Sequence, residues 1–159
     1  MTKKQNGIII TNLVVYLLML VWVVLFHATL ESLNIAFDPD FRSISLYFYF
    51  NGRESILNVL IFVPLGLHFG VLFDKNSMVQ KVGMVVATSL LLEIMQYILA
   101  MGATDIMDLI NNTIGGALGL SICSVARKVL KERFNKVAVV ASVLCTLATV
   151  GIVLFVSLR

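Results

Sequence analysis

Charge is what this 159-residue chain has least of: Asp, Glu, Lys and Arg together make up 13% of it, while 59% is hydrophobic and the mean hydropathy is +0.97. That balance excludes a soluble domain of this size and points to an all-α integral membrane protein with a single domain over 1–159. The alternating ten-residue strands of a barrel are missing, so helices must satisfy the backbone within the bilayer. There are only two cysteines, Cys123 and Cys145, both inside apolar runs, which reads as small packing residues and not as a disulfide. His27 and His68 stand alone, with no HExxH or CxxC spacing, so neither a metal nor a cofactor is expected. The net charge of +3 comes from basic residues beside apolar runs, which excludes nucleic acid as a partner and leaves membrane lipid.

Five apolar runs approach the roughly 20 residues that cross a bilayer as helix. They predict transmembrane helices over about 7–30, 55–73, 82–101, 106–126 and 137–158. The first has a basic flank but no small-residue cleavage site, so it is expected to remain as a span. Between the first two lies a polar-aromatic loop, 32–53, whose Phe41, Tyr47, Phe48, Tyr49 and Phe50 suit an interfacial or re-entrant segment. Five crossings place the ends on opposite sides. Lys3, Lys4, Lys75, Lys81, Arg127, Lys128, Lys131, Arg133 and Lys136 then share one side, the cytoplasmic one by the positive-inside rule. The N-terminus is therefore expected in the cytoplasm and the C-terminus outside.

Polar residues are few, yet they gather. Glu93 and Gln96 share a face of the third helix; Asp105, Asp108, Asn111 and Asn112 open the fourth; Arg53, Glu54 and Asn58 open the second. At helical rise Glu93 lies roughly 12 Å below the outer boundary. A carboxyl at that depth needs a partner or a role. It reads either as a paired or protonated group fixing helix register, or as a ligand-contacting or proton-handling one. Gln96, Asn58, Asn111 and Asn112 read as helix-helix glue or as sugar- and peptide-binding amides; Asp105 and Asp108 as helix caps or as site carboxylates. Without a nucleophile-base pair, catalysis is not the leading expectation. Asp108, Asn112, Gly115 and Gly119 form one helical stripe, whose glycines permit close approach of a neighbouring helix or of a second copy. Pro64 leaves the Leu60 carbonyl without its helical donor. An internal echo links ILNVLIFVPLG, ending at Gly66, with LINNTIGGALG, ending at Gly119, with both helices running inward. That fits a parallel repeat with a site at its interface.

The ordered set NVLIFVPLG (58–66), ExxQ (93–96) and DIMDLINNTIGGALG (105–119) resembles the VanZ-like family of bacterial membrane proteins across roughly half the chain. The resemblance carries over Asn58, Pro64, Gly66, Glu93, Gln96, Asp105, Asp108, Asn112 and Gly115. The family pattern commonly places an arginine ahead of the DxxD element; here Gly102, Ala103 and Thr104 stand there, and Arg53 is the candidate substitute. The resemblance implies a cell-envelope protein linked to lowered susceptibility to teicoplanin, with a lipoglycopeptide antibiotic or a lipid-linked cell-wall precursor as candidate ligand. The alternative is a membrane-embedded enzyme or transporter acting on such a lipid.

Overall fold

The computed structural model describes residues 1–23, 44–45, 52–99 and 104–157. The aromatic loop expected over 32–53 lies almost wholly outside the described residues, as does 24–30 of the first expected span. Within them the chain forms α1 (Lys3–Trp22), α2 (Gly52–Leu72), α3 (Met78–Leu99), α4 (Ile106–Leu130) and α5 (Phe134–Ser157). Beside the helices there is one two-residue parallel pairing, β1 (Ile44–Ser45) with β2 (Thr104–Asp105). Four helical segments are long and apolar enough to cross a membrane: Lys3–Trp22, Ser55–Leu72, Met78–Leu99 and Ile106–Gly151.

Four helices start three or four residues earlier than the apolar runs suggest, and two of them, α1 and α3, do so for the same reason. At Thr2 the hydroxyl accepts from the Gln5 amide while the Gln5 side chain accepts from the Thr2 amide; Ser77 and Gln80 repeat this exchange ahead of α3. These capping boxes satisfy the orphan amides of the first turn inside polar sequence, where hydropathy gives no signal. The turn between α2 and α3 is accordingly shorter than the expected 74–81. The basic link expected over 127–136 also shrinks, to a single 3₁₀ turn at Lys131–Arg133, because α4 runs on to Leu130.

That turn reverses the chain. Lys131 has φ 44°, the left-handed region that L side chains avoid by about 1–2 kcal/mol. Lys131→Gly is therefore expected to raise the midpoint of thermal unfolding in detergent by roughly 2–4 °C. An unchanged or lower midpoint would show that the turn is not strained.

After the reversal α5 runs alongside α1 in the same direction. Asn12 Nδ2 donates to Ser142 Oγ at 3.1 Å, and the Thr146 hydroxyl lies 2.9 Å from the Ser142 carbonyl and 3.4 Å from that of Asn12. The α1 face at Ile9, Leu13, Tyr16 and Leu20 is buried, and Ile10, Val14 and Leu18 on the opposite face are exposed. Tyr16 reaches across to donate to the Ile61 carbonyl and stacks on His68. The core joins Tyr16 and Leu20 to Phe62, Leu65 and Phe69 of α2, Val85 and Leu92 of α3, and Leu120 of α4.

The tightest contact is between α2 and α4, which run parallel with no side chain between their backbones at the crossing. A methyl group built on Gly119 would land on the Val63 carbonyl, one on Gly66 on the Gly116 carbonyl, and one on Gly115 on the Val59 carbonyl. The glycine stripe is thus used within the chain. Its geometry is pseudo-two-fold, with partners 53 positions apart: exchanging the helices carries Gly66 to Gly119, Val63 to Gly116 and Leu67 to Leu120. The Gly66 methyl would meet the Leu120 amide at 3.0 Å and the Gly119 methyl the Leu67 amide at 2.9 Å. Fifty-three is also the offset of the sequence echo. At the far end, Arg127 pairs with Asp74 at 2.8 Å, donates to the Gly70 carbonyl at 3.1 Å and covers the Phe134 ring at 4.4 Å. These contacts tie the α2–α3 and α4–α5 turns together beside the start of α1.

Candidate functional site

The described polar residues that the sequence singles out meet in the half of the bundle away from Arg127. Asp108 lies in the first turn of α4, where the helix dipole favours a carboxylate, and accepts a hydrogen bond from the Asn58 side-chain amide on α2. One turn further in, Asn111 and Asn112 are both buried. Asn112 Nδ2 donates to Ser89 Oγ at 2.9 Å, joining α4 to α3. Glu93, only 4% exposed, lies one turn along α3 from Ser89, and half-buried Gln96 is on the same face. Glu93, Gln96 and Asp108 each interact with neighbours as well. The cluster therefore bridges α2, α3 and α4 in pairs.

Two neighbouring asparagines each keep an unmet atom. The Asn111 Nδ2 donor and the Asn112 Oδ1 acceptor are buried and meet no partner among the described residues. The pseudo-two-fold explains the first. Asn111 is the image of Asn58, and the image of Asp108 is Ser55, buried at the start of α2. One half of the pair carries a carboxylate opposite its amide; the other carries a short hydroxyl. A buried amide donor left unmet costs about 1–3 kcal/mol, a strong reason for something to meet it.

Ser89 and Ser55 are the residues that reading the sequence missed. Hydroxyls within apolar helices usually bond back to their own backbone, as Thr88 and Thr113 do here. The available signals were positional: Ser89 stands four residues before Glu93 on its face, and Ser55 answers to Asp108 once the echo is extended. Arg53 and Glu54 begin α2 and Asp105 pairs through its backbone with Ser45, but their side chains lie outside the described residues. Among the described residues no three His, Cys, Asp or Glu side chains converge. Pro64, Gly66, Gly115 and Gly119 lie on the α2–α4 pair, with the Pro64 carbonyl 2.7 Å from His68 Nδ1. Two cavities at the basic end do not reach any of the cluster residues.

The model of the family described as VanZ/LLP1 matches residues 13–127, which include the whole cluster. Protein VanZ of Enterococcus faecium is 40% identical over 124 residues, covering 76% of each chain. No solved structure matches.

Proposed function

Since the chain belongs to the VanZ/LLP1 family, we propose that it lowers susceptibility to teicoplanin-type lipoglycopeptides from the bacterial cell membrane, by holding part of an amphiphile at an outward-facing polar site. Four apolar segments support the membrane setting. We take Ile106–Gly151 as two crossings, since Lys131 turns α5 back along α4. The basic residues of the turns then face the cytoplasm, and α5 ends outside. The cluster falls in the outer half, at the depth where the polar part of an amphiphile meets the hydrocarbon.

The observation that carries this reading is that the Asn111 donor and the Asn112 acceptor, on consecutive residues of α4, are each buried and unmet among the described residues. A carbonyl or hydroxyl oxygen of a peptide, sugar or lipid headgroup can accept from Asn111, and a hydroxyl or peptide N–H can donate to Asn112. Asn111→Leu removes the donor without breaking a hydrogen bond within the described structure. The variant is expected to melt at or slightly above the wild type in detergent and yet to leave cells as teicoplanin-susceptible as a deletion strain. If Asn111→Leu cells keep wild-type susceptibility, the amides do not form the site.

A second reading is transport of a lipid-linked precursor, which the parallel pseudo-repeat of α2 and α4 favours, since transporter sites lie at such repeat interfaces. It requires reconstituted protein to move a labelled lipid between leaflets, and vesicles showing no movement exclude it. An enzymatic version would use Glu93 or Asp108 as acid or base, with Glu93→Gln abolishing an altered lipid product.

A further inference from the structure

At the basic end of the bundle, two cavities of opposite character adjoin. The first, about 250 Å³, lies between α1, α2, α4 and α5; its walls are almost wholly apolar and include Ile9, Val71, Cys123, Phe134 and Ala138. Its lining on α5 runs from Phe134 to Cys145, roughly 16 Å at helical rise. Ile122 and Val137 line it and are also exposed on the outer surface, so it opens sideways between α4 and α5, where a bilayer would lie. The second, about 340 Å³, is a half-polar cleft in which Asn6, Asp74, Lys75, Asn76, Arg127 and Asn135 stand beside Leu72 and Phe73.

Val71 lines both. Ala126 and Phe134 on the apolar side are followed in the chain by Arg127 and Asn135 on the polar side. The wall between the cavities is the Arg127 guanidinium lying over the Phe134 ring, with its charge matched by Asp74. Arg127 is thus built into the wall and Lys75 lines the cleft itself, while the exposed Lys128, Lys131, Arg133 and Lys136 of the neighbouring α4–α5 turn outnumber Glu132 and leave this end of the bundle with an excess of positive charge. An apolar slot one chain long, open to lipid and ending at a polar, positively charged rim, has the shape and charge of an amphiphile.

We infer that this pair of cavities is a binding site for an anionic phospholipid of the leaflet on the basic side, one acyl chain in the slot and the phosphate at the Lys75 cleft. Burying apolar area stabilises the bound chain, and the positive charge at the cleft adds attraction for a phosphate. The site lies at the other end of the bundle from the amide cluster and does not depend on it. His68 lines the slot with its Nδ1 on the Pro64 carbonyl and its Nε2 unmet among the described residues; an acyl chain asks nothing of that nitrogen.

The test uses the full chain in phosphatidylcholine nanodiscs carrying a trace of phosphatidylglycerol with a photoreactive diazirine in one acyl chain, with adducts mapped by mass spectrometry. Adducts are expected around Cys123, Phe134, Val137 and Ala141, several-fold above those from an otherwise identical phosphatidylcholine probe. Ala138→Phe or, should that variant not fold, Ala141→Leu fills the slot and should abolish them with no loss of thermal midpoint in detergent. Lys75→Gln should erase the headgroup preference and leave the position of the adducts unchanged. His68→Phe, which keeps the ring against Tyr16, should label like wild type. Adducts spread evenly over outer-face residues such as Ile114 and Leu118, equal labelling by the two headgroups, or labelling lost with His68→Phe would each overturn the assignment.

Discussion

Gly119→Val is expected to leave little folded protein. The new Cβ would sit on the Val63 carbonyl and within 3.0 Å of the Gly66 Cα, and both belong to helix backbone. Flexible side chains can swing away from such a contact, whereas here α2 and α4 must part along their length. Overpacking usually costs 1–3 kcal/mol, and a clash that only whole-helix movement can relieve belongs at the top of that range or above, about 3 kcal/mol or more. For a chain of this size that corresponds to a midpoint roughly 6–12 °C lower. Gly83→Ala is the control: nothing lies within 4 Å of its Cβ position, so removing a helical glycine should be neutral or stabilise by up to about 1 kcal/mol. The pseudo-two-fold adds a sharper expectation. Gly66→Val builds the image of the same clash, so the two valine variants should lose similar stability. A Gly119→Val protein melting at the wild-type midpoint would mean that the helices are not packed backbone to backbone.

That interface was legible in the sequence to an unusual degree, because glycines at helical spacing on one face have few other uses in an apolar helix. The echo between Asn58–Gly66 and Asn111–Gly119 pointed to a parallel repeat, but whether the stripe met a neighbouring helix or a second copy, and in what register, was settled only by the packing of α2 on α4. Helix ends were less legible. Thr2 with Gln5 and Ser77 with Gln80 decide where α1 and α3 begin, through hydrogen bonds that a hydropathy profile does not register. Likewise the reversal at Lys131 depends on one backbone dihedral in a run of good helix formers, a conformation that no local residue type announces.

The polar cluster was legible as a collection and not as a network. Depth along each helix follows from counting residues, so Asn58, Glu93, Asp108 and Asn112 could be placed at a common level. Pairing depends on rotation of each helix about its axis, which the glycine contacts set. Those contacts turn Asn58 toward Asp108 and Asn112 toward Ser89, and leave Glu93 to a separate position on α3. Ser89 escaped notice because a lone hydroxyl carries almost no hydropathy signal, even though it receives the inter-helix bond of Asn112.

The Asn58–Asp108 pair separates structure from function through a double-substitution cycle. In Asn58→Leu the Asp108 carboxylate loses a donor while remaining half-buried, and hydrogen bonds to a charged group are worth about 1.5–3 kcal/mol. Asp108→Leu instead strands the Asn58 amide, with a penalty of about 1–3 kcal/mol, together with the dipole interaction at the start of α4, about 0.3–1 kcal/mol. The double leucine variant removes both polar groups and should be more stable than the sum of the single losses predicts, with a coupling of about 1–2 kcal/mol in thermal or denaturant unfolding. If the pair only holds α2 against α4, recovery of stability in the double variant should bring recovery of the susceptibility phenotype. If the pair belongs to the amphiphile site, as we propose, the double variant should fold well and still leave cells as susceptible to teicoplanin as a deletion strain. Asp108→Asn sharpens the distinction, because it keeps an acceptor for Asn58 while removing the charge. It should lose at most about 1 kcal/mol of stability, the size of a helix-dipole interaction. Any larger fall in resistance would then come from the carboxylate itself, not from the helices it joins.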